Sequence, residues 1–202
     1  MGFLNLFRSN IEKLKSNKNI GGLEKILLTN KNPQPRKKAA VALKDLGDMN
    51  STESLVHALG DESWEVRKEA VSALASLRNP EAIEPLLHVL KDGNTRVRHA
   101  AVIALGKIGD KRSVNPLIQI FRGLHHDIRR SAVEALGEIG DVGAIPTLSQ
   151  ALKDEDSVLR MKAAEALGKI GDPKAVHILK EAFKDEDTAV KRAAQDAIKR
   201  IE

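Results

Sequence analysis

Apolar residues recur along the chain with the period of an α-helix. After Val66, apolar residues follow four, five, eight and eleven positions later, at Ala70, Val71, Leu74 and Leu77. Residues at these intervals lie on one face of a helix and leave the opposite face to polar residues. The pattern therefore predicts an amphipathic helix, which we call helix A.

A second apolar face begins directly after helix A. Asn79 supplies a side-chain oxygen for a helix N-cap, and Pro80 stands at the first helical position, where its missing N–H group is not needed. Asp172-Pro173 repeats this signal in a later copy. The apolar residues that follow Pro80 have helical spacing: Ile83, Leu86, Leu87 and Leu90. They predict a helix B, so each copy is a helical hairpin.

The hairpin pattern recurs every 31 residues. A Val-Arg-like pair marks each copy, at Pro35-Arg36, Val66-Arg67, Val97-Arg98, Ile128-Arg129, Leu159-Arg160 and Val190-Lys191. In the four central copies an Ala-x-x-Ala-Leu pattern follows the pair, and a Gly-Asp dipeptide ends most copies of helix A. Because one hairpin cannot bury its own apolar face, neighbouring copies must stack on one another.

The predicted fold class is all-α, an α-solenoid or superhelix of about six HEAT-like hairpins plus a terminal helix. We expect a single domain over residues 1–202. Within it, residues 1–32 form a divergent N-terminal capping hairpin, residues 33–187 form five 31-residue repeats, and residues 188–202 form a C-terminal capping helix.

Composition and charge narrow the possible functions. The chain has no Cys, which excludes disulfides, thiolate metal sites and a cysteine nucleophile. Residues 1–50 hold ten Lys and Arg against four Asp and Glu, so the excess behind the net charge of +5 lies in this quarter. The apolar cluster around Phe3 and Phe7 is too short for a membrane span. We expect a cytoplasmic protein that does not contact membranes.

The repeat motifs resemble a known family. The segments "VRKEAVSALASL", "VRHAAVIALGKIG", "IRRSAVEALGEIG" and "LRMKAAEALGKIG" are similar to the HEAT-like repeats of the phycobilisome-lyase type, over about residues 33–202. The opening "MGFLNLF", with "IEKLK" and "GGLEKIL" after it, resembles the N-terminal cap of archaeal-type members. This superfamily includes chromophore lyases, deoxyhypusine hydroxylase, DNA glycosylases and adaptors, so the resemblance implies the fold and leaves the function open.

The resemblance also implies a role for the repeated arginines. In the family, the Arg of each Val-Arg pair joins an internal Asp-Arg ladder that ties one repeat to the next. Here Asp61, Asp92, Gly123 and Asp154 stand six residues before Arg67, Arg98, Arg129 and Arg160. An anion-binding track along the same arginines is the alternative interpretation.

A comparison with deoxyhypusine hydroxylase tests for di-iron chemistry. That enzyme is similar in repeat type and holds two irons through His-Glu dyads at the second and third positions after the Val of the Val-Arg pair. The nearest matches in this chain are Lys68-Glu69 and His99-Ala100, and no copy has the complete dyad. Because a di-iron site needs several carboxylate and imidazole ligands, this activity is not expected.

Exposed positions of helix B form columns across the stack. One column is His57, His88, Gln119, Gln150 and Glu181, and the column one turn later includes Lys91, Arg122, Lys153 and Lys184. In related solenoids helix B lines the concave face, so we expect these nine residues to line a partner-binding groove. The groove changes from acidic in its first half to basic in its second half.

Four of the exposed side chains are candidate metal ligands. Glu53 with His57, and Glu84 with His88, are pairs four residues apart on adjacent B helices. Two imidazoles and two carboxylates could converge on a metal. The alternative is a solvated groove wall, because a Glu-His pair at this spacing also stabilises a helix without any ligand.

Taken together, these patterns predict a non-catalytic scaffold that binds a protein or an extended peptide in its groove. We expect no catalytic residue and no cofactor. A metal-dependent or lyase-like enzyme is one alternative. Nucleic-acid binding is another, but the groove lacks aromatic side chains for base stacking. Trp64 stands at the start of a helix A, and the sequence leaves open whether it packs or is exposed.

Overall fold

The computed structural model describes residues 10–123 and 128–202, and these residues form helices and turns without any β-strand. The predicted cap motif "MGFLNLF" and the apolar cluster around Phe3 and Phe7 lie outside the described residues. The fold class is the predicted one, an α-solenoid of HEAT-like hairpins.

The helices follow the predicted hairpin order. Helix α1 is described over residues 10–16, and α2 is Ile20–Thr29. The A helices are α3 Pro33–Leu46, α5 Trp64–Leu77, α7 Thr95–Ile108, α9 Arg129–Ile139, α11 Ser157–Ile170 and the terminal α13 Thr188–Ile201. The B helices are α4 Thr52–His57, α6 Ile83–Val89, α8 Val114–Arg122, α10 Ile145–Ala151 and α12 Ala175–Glu181.

The N-terminal ends of the B helices are capped as the sequence predicts, with one difference. Before α4, α6, α8 and α10 an Asx side chain accepts a hydrogen bond of 2.8–3.0 Å from the N–H group two residues later. The capping residues are Asp48, Asn79, Asp110 and Asp141. The bond opens a three-residue 3-10 turn instead of the α-helix, so these B helices begin about three residues later than the cap alone indicates.

The A helices end in the left-handed backbone region. Gly47, Gly109, Gly140 and Gly171 have φ between 67° and 78°, a conformation in which glycine has no Cβ penalty. In the second copy Arg78 takes this position with φ 53°. The glycines that precede the repeated Asp therefore mark where helix A stops.

The chain divides between Ala104 and Leu105, inside α7, into two compact units. In both units the leucine of the Ala-x-x-Ala-Leu pattern is fully buried, as predicted: Leu74, Leu105, Leu136 and Leu167 are all 0 % exposed. The expectation of a single domain stays a prediction.

Adjacent A helices of the second unit approach closely through small residues. A Cβ atom added at Gly137 would lie 2.7 Å from the Cα and Cβ of Ala166, and one added at Gly168 would lie 2.7 Å from the Cβ of Ala197. Both distances are shorter than real Cβ atoms tolerate, and the obstructing atoms include backbone. Glycine at these positions therefore permits the close contact of α9 with α11 and of α11 with α13.

Buried or half-buried ion pairs join hairpins at four of the described junctions. Arg36 donates two hydrogen bonds to Asp61 at 2.7 and 2.8 Å, and Arg160 donates two to Asp185 at 2.7 and 2.9 Å. Arg67 to Asp92 and Arg129 to Asp154 repeat the contact. In each pair the Asp lies 25 residues after the Arg. The ladder that the family resemblance implied is therefore present.

The carboxylate of the ladder is not the one six residues before each Arg. That earlier residue contributes its backbone carbonyl instead: the carbonyl of Asp154 accepts from Arg160 at 2.8 Å, and that of Asp92 from Arg98 at 2.9 Å. Gly123 stands where the Asp partner of Arg98 is expected, 25 residues later. Because Arg160 hydrogen-bonds its carboxylate, the pKa of Asp185 lies below its ordinary value.

We predict that Gly137→Ala destabilises the protein. The added methyl group overpacks the contact with Ala166, and this cost exceeds the gain from the higher helix propensity of alanine, so a net loss of roughly 1–2 kcal/mol is expected in urea unfolding. Gly21→Ala is the matched control, since Gly21 lies in α2 with no atom within 4 Å of its added Cβ. If Gly137→Ala and Gly21→Ala had the same free energy of unfolding, the A helices could move apart at no cost and the contact would not require glycine.

We predict that Asp185→Asn lowers the free energy of unfolding by about 3 kcal/mol at pH 7, because it removes the buried carboxylate that holds the Arg160 charge and leaves that charge facing the exposed Glu186. Glu186→Gln is the control. Glu186 also faces Arg160, at 3.6 Å, but its side chain is 91 % exposed, against 10 % for Asp185, so a change below about 1 kcal/mol is expected.

The same pair predicts the direction of a pH effect. The pKa of Asp185 is lowered in the folded protein, so the unfolded chain binds this proton more tightly. The stabilisation is complete above the unfolded value of about 4 and is lost as the pH falls through the folded value. Urea unfolding should show the difference between wild type and Asp185→Asn shrinking from pH 7 to pH 3. A constant difference would contradict the assignment.

Candidate functional site

The nine predicted groove residues are all exposed on the B helices or at their ends. Three belong to the first unit and six to the second, and we describe each unit by itself. The first unit contains His57, His88 and Lys91, and the second contains Gln119, Arg122, Gln150, Lys153, Glu181 and Lys184.

The B helices of the second unit carry an excess of unpaired positive charge. Residues 111–122, 142–153 and 173–184 contain one carboxylate, Glu181, against seven exposed cations: Lys111, Arg112, Arg122, Lys153, Lys174, Lys180 and Lys184. Among the described residues Arg122, Lys153, Lys174 and Lys180 have no ion-pair partner. We call Arg122, Lys153 and Lys184, which occupy the same position in three successive repeats, the basic row.

Three of the cations on the A helices of the second unit are in a different situation. Arg130 pairs with Asp156, Lys162 with Glu134, and Lys169 with Glu138, each across two neighbouring repeats at 2.5–3.0 Å. These charges are neutralised by contacts that also hold the repeats together. These three cations are therefore committed to the structure, whereas Arg122 and Lys153 of the basic row have no ion-pair partner among the described residues and Lys184 has a weak, exposed contact with Glu181. The exposed A-helix cations Lys107, Arg192 and Lys199 are also unpaired among the described residues, but they do not repeat at one position of successive repeats.

The B helices of the first unit have the opposite character. The exposed carboxylate Glu53 lies on α4, Glu81 in the 3-10 turn before α6, and Glu84 on α6. Residues 49–60 and 80–91, which include these B helices, contain one Lys or Arg, Lys91. The acidic first half and basic second half that the sequence predicted therefore correspond to the two units taken separately.

The second unit contains a cavity of about 440 Å³ between α10 and α12. Its apolar lining comes from Leu152, Ile178 and Ala182, and its ionisable lining includes Lys153 and Lys184 of the basic row. Sequence analysis placed these two lysines in the groove but missed the apolar residues beside them. The 31-residue step gave no signal for them, because it aligns Leu152 with Phe121 and Leu90, which are buried.

The candidate metal ligands are exposed and do not form a recognisable site. Glu53, His57, Glu84 and His88 all lie on the surface of the first unit. Within residues 10–123 and 128–202 no three His, Asp or Glu side chains are grouped so that they could hold a metal ion. The described structure therefore does not bring these four residues together as a metal-binding site.

Trp64 has a contact that the sequence left open. The guanidinium of Arg96, from the next repeat, lies over the indole ring at 5.1 Å from its centroid, and Trp64 is half-buried. This distance is within the range of a cation–π interaction. Trp64 therefore packs at the junction of two hairpins of the first unit and is not a free aromatic platform.

Comparison with known families identifies the repeat. The chain matches HEAT repeats over residues 20–94, 52–131 and 114–199. The chain belongs to the HEAT-repeat family. The resemblance drawn from the repeat motifs is thereby confirmed at the level of family and fold. No curated protein matches the chain. In the described part of this HEAT-repeat protein, no helix has the length and apolar character needed to cross a membrane.

Solved structures show the same fold. The complex of CpcE and CpcF of phycocyanin lyase from Nostoc is 24 % identical, with a TM-score of 0.67 and coverage of 89 % of this chain and 75 % of that chain. A designed armadillo repeat protein in complex with the peptide (KR)4 is 20 % identical, with a TM-score of 0.64 and coverage of 91 % and 99 %. Human deoxyhypusine hydroxylase is 18 % identical, with a TM-score of 0.51 and coverage of 95 % and 99 %.

Proposed function

We propose that this HEAT-repeat chain is a non-catalytic scaffold that binds another protein, or an extended peptide, on the exposed side of its B helices. The observation that carries the proposal is the basic row of the second unit. It presents three cations at one repeat position, in a region where Glu181 is the one carboxylate among the described B-helix residues.

The pairing of individual cations supports the basic row over the paired cations of the A helices. An exposed cation that is already held by a carboxylate must break that pair before it can bind a partner, whereas an unpaired cation has no such cost. On the A helices Arg130, Lys162 and Lys169 are held in this way. Arg122 and Lys153 have no ion-pair partner among the described residues, so they can attract an acidic partner and set its orientation.

The fold class supports binding of an extended ligand. Stacked hairpins present the same position once per repeat on a rigid surface, so a ligand loses little protein entropy on binding. The designed armadillo neighbour holds a (KR)4 peptide on a scaffold of related fold. That peptide is basic, and the charge of the basic row favours an acidic ligand here.

The proposal predicts that removing the basic row weakens partner binding and leaves the fold intact. The partner would be isolated by affinity purification from a native lysate and then measured by fluorescence anisotropy at two salt concentrations. Arg122→Ser, Lys153→Ser and Lys184→Ser together should weaken binding on the order of tenfold and flatten its salt dependence.

Lys107→Ser, Arg192→Ser and Lys199→Ser form the matched control, because these residues are exposed cations on A helices of the same unit. Arg130 and Lys162 are unsuitable controls, since they stabilise contacts between repeats. Binding that is abolished by the control set and unchanged by the basic-row set would assign the A helices as the working face. Recovery of no protein above background would end the scaffold hypothesis.

A gel shift at low salt distinguishes a nucleic-acid ligand. Retention of duplex or single-stranded DNA by the wild type, lost with the basic row, would assign the row to phosphate binding and overturn the proposal.

A further inference from the structure

The cavity between α10 and α12 exposes an apolar residue that is buried at the same position of the two preceding repeats. Leu90 is 5 % exposed and Phe121 is 3 % exposed, whereas Leu152, one repeat later, is only half-buried. Ile178, from α12, is also half-buried and faces the same cavity. The two side chains form an apolar lining that the protein itself does not cover.

The charges around this cavity are not balanced. Asp185 contributes to the lining, but its carboxylate is held by both hydrogen bonds from Arg160. Glu181 lies 3.4 Å from Lys184, and both side chains are strongly exposed, so this contact is weak. Lys153 has no ion-pair partner among the described residues. The apolar lining therefore has a rim with a net positive charge.

We propose that this cavity seats an apolar side chain of an acidic peptide segment of the partner, with carboxylates of that segment on Lys153 and Lys184. This inference rests on the proposed function and names the partner chemistry. The volume of about 440 Å³ falls within the roughly 300–1,000 Å³ of ordinary ligand pockets, and an apolar surface beside a few polar groups is their usual character.

The spacing of the repeats determines how far apart the acidic residues of the bound peptide segment must be. Packed helices lie about 8–10 Å apart, and an extended polyproline II chain advances about 3.1 Å per residue with three residues per turn, so that residues three apart face the same side. Consecutive members of the basic row are therefore matched by carboxylates about three residues apart. The segment that fits is extended, with an acidic residue at about every third position and a large apolar residue between two of them.

A selection from random twelve-residue peptides displayed on phage tests this chemistry with the full chain. Enriched peptides should combine Asp or Glu at about every third position with Leu, Ile or Phe between them. Synthetic copies of these peptides are then measured by fluorescence anisotropy. Replacing the apolar residue with Ser should weaken binding at least about tenfold, because a buried apolar side chain is lost. Enrichment of basic or uncharged peptides would overturn the proposal.

A cavity-filling variant separates this inference from the proposed function. Ser149 lines the cavity from α10, so Ser149→Trp should fill it and weaken the selected peptides at least tenfold while leaving all three cations of the basic row in place. Ser76→Trp, at an exposed position of α5, is the control and should bind normally. Circular dichroism melting verifies that both variants fold.

The outcomes then differ for the two ideas. Peptides that bind Ser149→Trp as well as wild type, but lose affinity without the basic row, would retain the scaffold function and reject the cavity as its anchor site. Failure of the selection to enrich any peptide would count against both. Peptides that need the cavity and are indifferent to the basic row would retain the anchor site and reject the acidic partner.

Discussion

The buried Arg–Asp pair that joins one hairpin to the next is the contact on which the rest of the structure depends. Each described pair spans 25 residues, and the same Arg also binds backbone carbonyls of the loop before its own helix, as Arg160 does with Asp154 and Glu155. One guanidinium therefore fixes the end of one hairpin, the start of the next and the distance between them. A buried ion pair is a poor source of net stability, but it strongly disfavours any other register.

This linkage explains why the A and B helices have different surfaces. The A helices of the second unit stack through Gly137 and Gly168 at distances that admit no larger side chain, and Lys162 and Lys169 pair with Glu134 and Glu138 across that close contact. Arg122 and Lys153 lie on the B helices, away from that close contact, and have no ion-pair partner among the described residues. Exposed unpaired cations also occur on the A helices, but among the described residues only the basic row repeats at one position of three successive repeats with Glu181 as the one carboxylate on those B helices, and that is the physical basis for assigning the ligand to the B helices.

Prediction from sequence succeeded where a repeated local pattern carries the information. The 31-residue step, the Asx caps and the Gly before each Asp specify hairpins, helix ends and buried leucines, because these depend on neighbours only a few residues away. Exposure of the basic row could be predicted for the same reason. Arg78 adopts the left-handed conformation where other repeats have Gly, and this was not predicted because its residue type does not favour that conformation.

By itself, the sequence determined the fold class, the repeat length and the positions that face solvent, since the helical period and the turn residues encode them locally. Only the tertiary structure decided which carboxylate each Arg binds, that Trp64 packs under Arg96, and that α10 and α12 leave a cavity beside Leu152. These features depend on the distance between helices of different repeats. That distance is set by the packing of side chains from both repeats, and no periodic pattern within one repeat contains it.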